Sequence, residues 1–206
     1  MAELLNIKGL GLKLIAETDD YIFSGEVIRL SSLEWQTKYF PNEKIYYHGY
    51  WINNFAFKSI SASNFLKFNP IEESHNIEFS EKLNYQNTVA VHIRRFSLEG
   101  FNWDVPIEWY QQSIWALRKK NTELKFFIFS DDLEWCRLNL FNLGFSISDS
   151  VTFIYGNEPE NLNHRDLQLM SMAHHHVMSN SSFSYLSVLL NNRNGFIFNP
   201  TNRSLK

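Results

Sequence analysis

A single cysteine, Cys136, in 206 residues excludes an internal disulfide framework and every cysteine-rich zinc pattern. It falls in a helical pattern, where a buried core residue is expected. Charge of one sign is also lacking. A formal net charge of −3 gives no general attraction to nucleic acid or anionic lipid, so an anion must be held by a local site and no nucleic-acid partner is expected. No window approaches the ~20 consecutive apolar residues that cross a bilayer. The N-terminus carries no basic stretch leading into an apolar block, so a cytoplasmic protein is expected. The chain has no H-E-x-x-H, G-x-S-x-G, P-loop or G-x-G-x-x-G, which leaves hydrolase, NTPase and dinucleotide readings without their marks. His174, His175 and His176 are consecutive, and neighbouring side chains diverge on helix and strand alike. They do not converge on one ion, and no metal site is expected. Internal repeats and low-complexity tracts are missing as well.

What the chain has is core material, 44% hydrophobic and 16% aromatic, which excludes a disordered protein. From Thr88 onward short apolar runs alternate with helical patterns. Strands are predicted over Val89 to Arg94, Lys125 to Phe129, Val151 to Tyr155, His176 to Ser179 and Gly195 to Phe198. Helices are predicted over Ile107 to Lys119, after Asp131, from Asn163, and over Ser181 to Asn191. Pro106 suits a first turn, Asp131 with Glu134 resembles a capping box, and Gly144 marks an end. The alternation implies an α/β fold, a Rossmann-like and mostly parallel sheet covered on both faces. Residues 1–85 are less regular, with a weak helix over Glu3 to Ala16, a strand at Ile45 to Trp51 and a short helix at Ile60 to Phe68. They read as the remnant of another domain plus a connector, and 86–206 as a domain of its own.

The run V-A-V-H-I-R-R from Val89 to Arg95 ends a buried-type strand in a histidine and two arginines. Charge is costly inside, so these residues mark the sheet edge, where open α/β sheets bind ligands. Arginine's planar fork suits phosphate, although pairing with surface carboxylates is the plain alternative. Two further clusters follow strands: Ser130, Asp131 and Asp132, then Asn180, Ser181, Ser182 and Ser184. The last opens a helix, whose free N–H groups and positive dipole end attract anions. Parallel strands bring all three clusters to one rim. The serines could equally serve as caps, and so could Asp131.

V-A-V-H-I-R-R, F-F-I-F-S-D-D-L-E-W and D-L-Q-L-M-S-M-A-H-H-H-V-M-S-N-S-S-F-S, in this order and spacing, resemble the motifs of the α-1,2-fucosyltransferases, glycosyltransferase family 11. The stretch I-Y-Y-H-G-Y-W is similar to that family's approach to its nucleotide-binding half. The resemblance implies a GT-B architecture of two Rossmann-like domains, with 86–206 the GDP-fucose-binding one and 1–85 part of the acceptor side. It implies inverting, metal-independent transfer of L-fucose from GDP-fucose to a galactoside 2-hydroxyl, with no cofactor. The partners implied are a nucleotide-sugar donor and a glycan acceptor, with peripheral association at the inner face of a membrane as a further expectation.

By position, Arg94 and its neighbour Arg95 would hold the pyrophosphate, and His92 would lie beside the nucleotide. Asp131 or Asp132 would accept from guanine or ribose. Asn180, Ser181 and Ser182 would receive phosphate, and Phe183 would flank the base. Glu99 and Asp104 are the candidates for the catalytic base, and Arg94 would stabilise the charge gathering on departing GDP. The chain departs from the family pattern at Phe96, Ser97 and Leu98, where Gly-Asp-Tyr is usual, and at Tyr185, Leu186 and Ser187 after the serine-rich turn. Its last strand ends in Asn199 and Pro200, without the usual lysine and aromatic residue. About a hundred residues bearing a glycine-rich motif are expected to precede this region. A GDP-sugar-binding module that no longer transfers is the alternative, and a metal-binding pair at Asp131 and Asp132 a third.

Overall fold

A computed structural model describes residues 68–120, 123–157 and 162–200, together with the backbone of the strands before them. The chain divides into two units, residues 2–67 and essentially 68–206. In the first lie β1 (Leu5–Ile7), β2 (Glu26–Arg29) and β3 (Ile45–His48), and β4 (Leu66–Phe68) ends at the boundary. β2 and β3 run parallel, with Glu26 opposite Ile45. The strand expected at Ile45 is present. The helix expected from Glu3 is contradicted at Leu5–Ile7, and the one expected from Ile60 at Leu66–Phe68, both of which are extended. Gly9 and Gly11 weaken the first as a helix, and Phe68 is followed within two residues by Pro70, which disfavours helical backbone before it. The remainder of both segments, and residues 49–51, lie outside the described residues.

The second unit begins with α1 (Ser74–Leu83), on the N-terminal side of the boundary expected near residue 85. Its buried residues Asn76, Phe79 and Leu83 follow the three-and-four spacing of one helix face. Then come β5 (Thr88–Ile93), α2 (Ile107–Arg118), β6 (Lys125–Ser130), α3 (Leu133–Leu138), β7 (Ser150–Phe153), α4 (Asn163–Met172), β8 (His175–Val177), α5 (Ser182–Leu189) and β9 (Ile197–Phe198). The strands form one sheet in the order β7-β6-β5-β8-β9, every pair parallel. This is the Rossmann-like α/β arrangement, and the predicted elements are present with ends moved by a residue or two.

Alternation along the strands sorts the core into two layers. Val89, Val91, Ile93, Phe126 and Ile128 pack with Tyr110, Ile114 and Leu117 of α2 and with Cys136 of α3. Ala90, Phe127 and Phe129 point the other way, onto Phe79 and Leu83 of α1 and Leu169 and Met170 of α4. A sheet buried on both faces needs apolar side chains at successive positions, which is why β5 and β6 read as continuous apolar runs. Gly144, at φ +97°, lies in the turns that follow α3, and a Cβ there would meet the Gln111 backbone at 2.9 Å. No helix among the described residues is long and apolar enough to cross a membrane.

Cys136 is fully buried, and burial raises its thiol to about 11. The thiolate is the reactive form, so the native chain at pH 8 is expected to resist iodoacetamide, with labelling that follows the unfolding rate. Fast labelling of folded protein would show that α3 opens independently.

Candidate functional site

Register alone builds the rim. Ile93 lies opposite Ser130, and Val91 opposite Val177, so the residues after all three strands emerge at one edge of the sheet. The chain runs outward from β5 to β6 to β7, then returns through α4 to place β8 on the other side of β5. The strand order therefore reverses between β5 and β8, and such a switch point opens a crevice at the carboxyl edge. His92, Arg94 and Arg95 come to this edge at the end of β5, and Asn180 to Phe183 come to it after β8, at the start of α5.

His92 reaches the helix start. Its Nδ1 is 2.8 Å from Ser179 Oγ and in close contact with Ser184 Oγ, and the two hydroxyls are 3.1 Å apart. Ser184 is fully buried and Ser179 nearly so. Burial, then the Arg94 charge, pushes the imidazole down to about 3, so it is neutral across the physiological range. Ser181 caps α5 by accepting the Phe183 N–H at 3.2 Å, and the Phe183 ring lies 5.7 Å from the imidazole. Ser179 carried no signal in the sequence as a partner of His92, since the two are 87 positions apart.

Arg94 does not join the helix start by any hydrogen bond among the described residues. Its Nη1 donates to Asp131 Oδ2 at 2.6 Å, and its Nη2 pairs with Glu99. Of the two alternatives for the arginines, carboxylate pairing is what this structure holds. Asp131 also accepts the Arg95 N–H at 3.0 Å, which ties the ends of β5 and β6 together. Asp132, not Asp131, is the cap of α3: it accepts the Trp135 N–H at 3.0 Å. β6 runs on to Ser130, whose hydroxyl accepts the Asp132 N–H; the cap therefore moves on by one residue, and the capping box expected of Asp131 and Glu134 does not form, because Trp135 stands three residues after the cap.

Arg95 points elsewhere. Its guanidinium lies 4.0 Å over the Trp135 ring, donates from Nε to Asp104 at 3.2 Å, and sits 3.7 Å from Asp132. Asp104 accepts from the Ser97 N–H at 2.9 Å and the Ser97 hydroxyl at 2.6 Å. Burial works against ionisation of Asp104, but the Ser97 and Arg95 contacts outweigh it and hold the carboxyl below its usual range. Glu99 closes a short 3₁₀ turn, Phe96–Glu99, and is half exposed. Asn180 and Ser182 are exposed on the rim. No group of three or more His, Cys, Asp or Glu that could hold a metal ion occurs among the described residues.

The sequence profile of glycosyl transferase family 11 matches residues 19–205, nearly the whole chain. The chain belongs to that family. It is similar to an alpha-1,2-colitosyltransferase of Escherichia coli, 35% identical over 164 residues, which are 74% of this chain and 54% of the relative. The chain thus spans about half the length of the curated relative it matches. At residue 97, where the family resemblance leads one to expect an acid, Ser97 instead binds the carboxylate of Asp104, so an acidic group occupies the same neighbourhood from seven residues downstream.

The consecutive histidines sit at the opposite end of β8 from the rim. His175 stacks on Phe196 at 5.4 Å, and His176 Nε2 lies 3.0 Å from Asn191 Nδ2. Burial lowers His176 to about 4, as it lowers His92 to about 3. A histidine whose folded value is depressed binds its proton more readily when unfolded. Stability is therefore complete above pH 6.5 and declines from there to about pH 4 for His176 and on to about pH 3 for His92. Each group steepens the decline by at most ~1.4 kcal/mol per pH unit. Urea midpoints measured from pH 7 to 4 are expected to fall, and a flat profile would show these rings to be solvated.

Proposed function

We propose that the chain is the donor-binding half of a GT-B glycosyltransferase that uses a GDP-linked sugar, transferring L-fucose to the 2-hydroxyl of a galactoside with inversion and without a metal. One observation carries the reading: the parallel register of β5 and β8 at the switch point brings the residues that follow them, Arg94 and the Ser181-capped start of α5, to one edge of the sheet. A diphosphate there would meet a guanidinium and the N–H groups of a first helical turn, which lack intrahelical partners. Family membership supports a nucleotide-sugar donor, and the relative's name supports a 1,2 linkage. The same name favours a second reading, in which colitose replaces fucose as the sugar transferred.

In this mechanism GDP displaces Glu99 from Arg94. The guanidinium then meets the charge that gathers on the departing diphosphate, where fixed donors contribute most. Asp131 retains its bond to the other guanidinium nitrogen and keeps Arg94 oriented, while Asp132 and Arg95 hold the loop. His92, neutral and bonded to Ser179 and Ser184, fixes the helix start against the end of β5. Phe183 lies beside it to flank the base. Either Glu99, once released, or Asp104 takes the acceptor proton. The Asp104 carboxyl is held below its usual range by Ser97 and Arg95, which suits a base that acts when the leaving group is well advanced.

The deciding experiment incubates the chain with GDP-fucose or GDP-colitose, a panel of galactosides and EDTA, and reads products by mass spectrometry. A 1,2-linked product insensitive to EDTA is expected. Donor binding without product would identify a module that no longer transfers, and loss of activity on chelation would refute metal independence.

A further inference from the structure

We propose that a cavity of about 270 Å³ beside the crevice is a subsite for one neutral pyranose ring of the sugar substrates. The inference rests on the reading above of a sugar-transferring chain, and adds where a ring is held and by which side chains. Its polar and indole wall is made by Trp103, Asp104, Glu108, Trp109, Gln112 and Asn180, and a valine and two prolines complete the lining. These residues come from the loop after β5, the first turns of α2 and the loop after β8, all within one unit.

Two indoles and four polar side chains are the mixture that a pyranose needs. Its C–H face packs on an aromatic surface, and its hydroxyls each offer a donor and an acceptor. Both indoles are fixed before any ligand arrives. Trp109 Nε1 donates to the Met178 carbonyl at 3.2 Å. Trp103 stacks on Phe101 at 4.6 Å and meets Phe96 edge-on at 5.7 Å. Asp104 is likewise held by Ser97 and Arg95. Preorganised groups lose little freedom on binding, so more of their interaction reaches affinity.

The side chains of Glu108, Gln112 and Asn180 make no hydrogen bond or ion pair among the described residues, although all three line one cavity. Glu108 and Gln112 are four apart on α2 and therefore share a face. Two carboxylates and two amides suit a neutral polyol and disfavour a sugar acid. Asn180 directly precedes the Ser181 cap, so a ring seated here adjoins the place where the diphosphate would lie.

The test uses saturation-transfer NMR with GDP affinity measured in parallel by calorimetry, on the wild type and on the double variant Glu108→Gln, Gln112→Ala. Both positions are exposed and have no hydrogen-bond partner among the described residues, so the fold is expected to be unaffected, and the melting temperature checks it. The probes are methyl β-D-galactopyranoside, GDP-fucose and methyl β-D-glucuronide. Saturation of the galactoside marks an acceptor ring, whereas saturation of the fucosyl protons alone marks the donor's ring. In either case the variant should weaken the sugar signal at least ~5-fold, as loss of two hydrogen bonds would, and leave GDP affinity unchanged. The glucuronide should give no signal.

GDP binding with no saturation of either neutral sugar overturns the subsite while leaving the donor reading intact. So does a sugar signal that the double variant does not weaken, or a glucuronide signal equal to the galactoside's. Absence of GDP binding with a variant-sensitive galactoside signal overturns the donor reading and retains the subsite.

Discussion

Replacing Arg94 with alanine is expected to weaken GDP binding by roughly 10- to 150-fold, because a charged hydrogen bond is worth about 1.5–3 kcal/mol. Lysine at this position should rescue little, since a point charge cannot replace two donors in one plane. The opposite sign is expected at Glu99. Its carboxylate occupies the guanidinium in the free protein, so an incoming diphosphate must compete with it. Glu99→Gln should strengthen GDP binding by roughly two- to fivefold, the scale of a half-exposed ion pair. Raised salt should narrow the gap between Glu99→Gln and wild type. Calorimetry reads all of these. Unchanged affinity in Arg94→Ala would remove the diphosphate from this crevice, and weaker binding in Glu99→Gln would show that Glu99 helps the ligand instead of competing with it.

The largest loss of stability is expected from His92→Ala. The substitution opens a cavity and leaves two buried hydroxyls, Ser179 and Ser184, without the imidazole that joins them to β5. Cavity and desolvation together should cost about 2–4 kcal/mol. GDP affinity should fall as well, because the imidazole's bonds hold the start of α5 in place. His92→Asn retains a polar partner and should recover part of both losses. Denaturant unfolding and calorimetry on the same samples separate the two effects. A stable His92→Ala chain with normal GDP affinity would show that the helix start needs no such tie.

The strands of the second unit were legible because each is an apolar run, rich in β-branched or aromatic residues, between polar turns. α1 was not, since only Phe79 and Leu83 mark its apolar face and its third buried residue is Asn76. That asparagine is buried because Asn157 meets it amide to amide at 2.8 Å, a partner 81 positions away. The site was legible as a set of clusters on one rim, and the side chains within each cluster were not. Asp131 and Asp132 look alike in the sequence, yet one binds two arginines and the other caps a helix. Glu99 and Asp104 both stood as bases, but the structure spends one on Arg94 and the other on Ser97 and Arg95.

Pattern and local chemistry were enough to determine a parallel α/β sheet and the rim that carries its polar residues, because burial of both faces leaves its mark on every strand. Family membership followed from motif order and spacing. Which carboxylates the two arginines pair with, which aspartate caps, and which hydroxyls satisfy His92 were decided only by the tertiary structure. Adjacent residues at a strand end point to opposite sides, so a shift of one position reverses their neighbours. Those neighbours come from strands and helices distant in sequence, and only the order in which the strands pair brings them into contact.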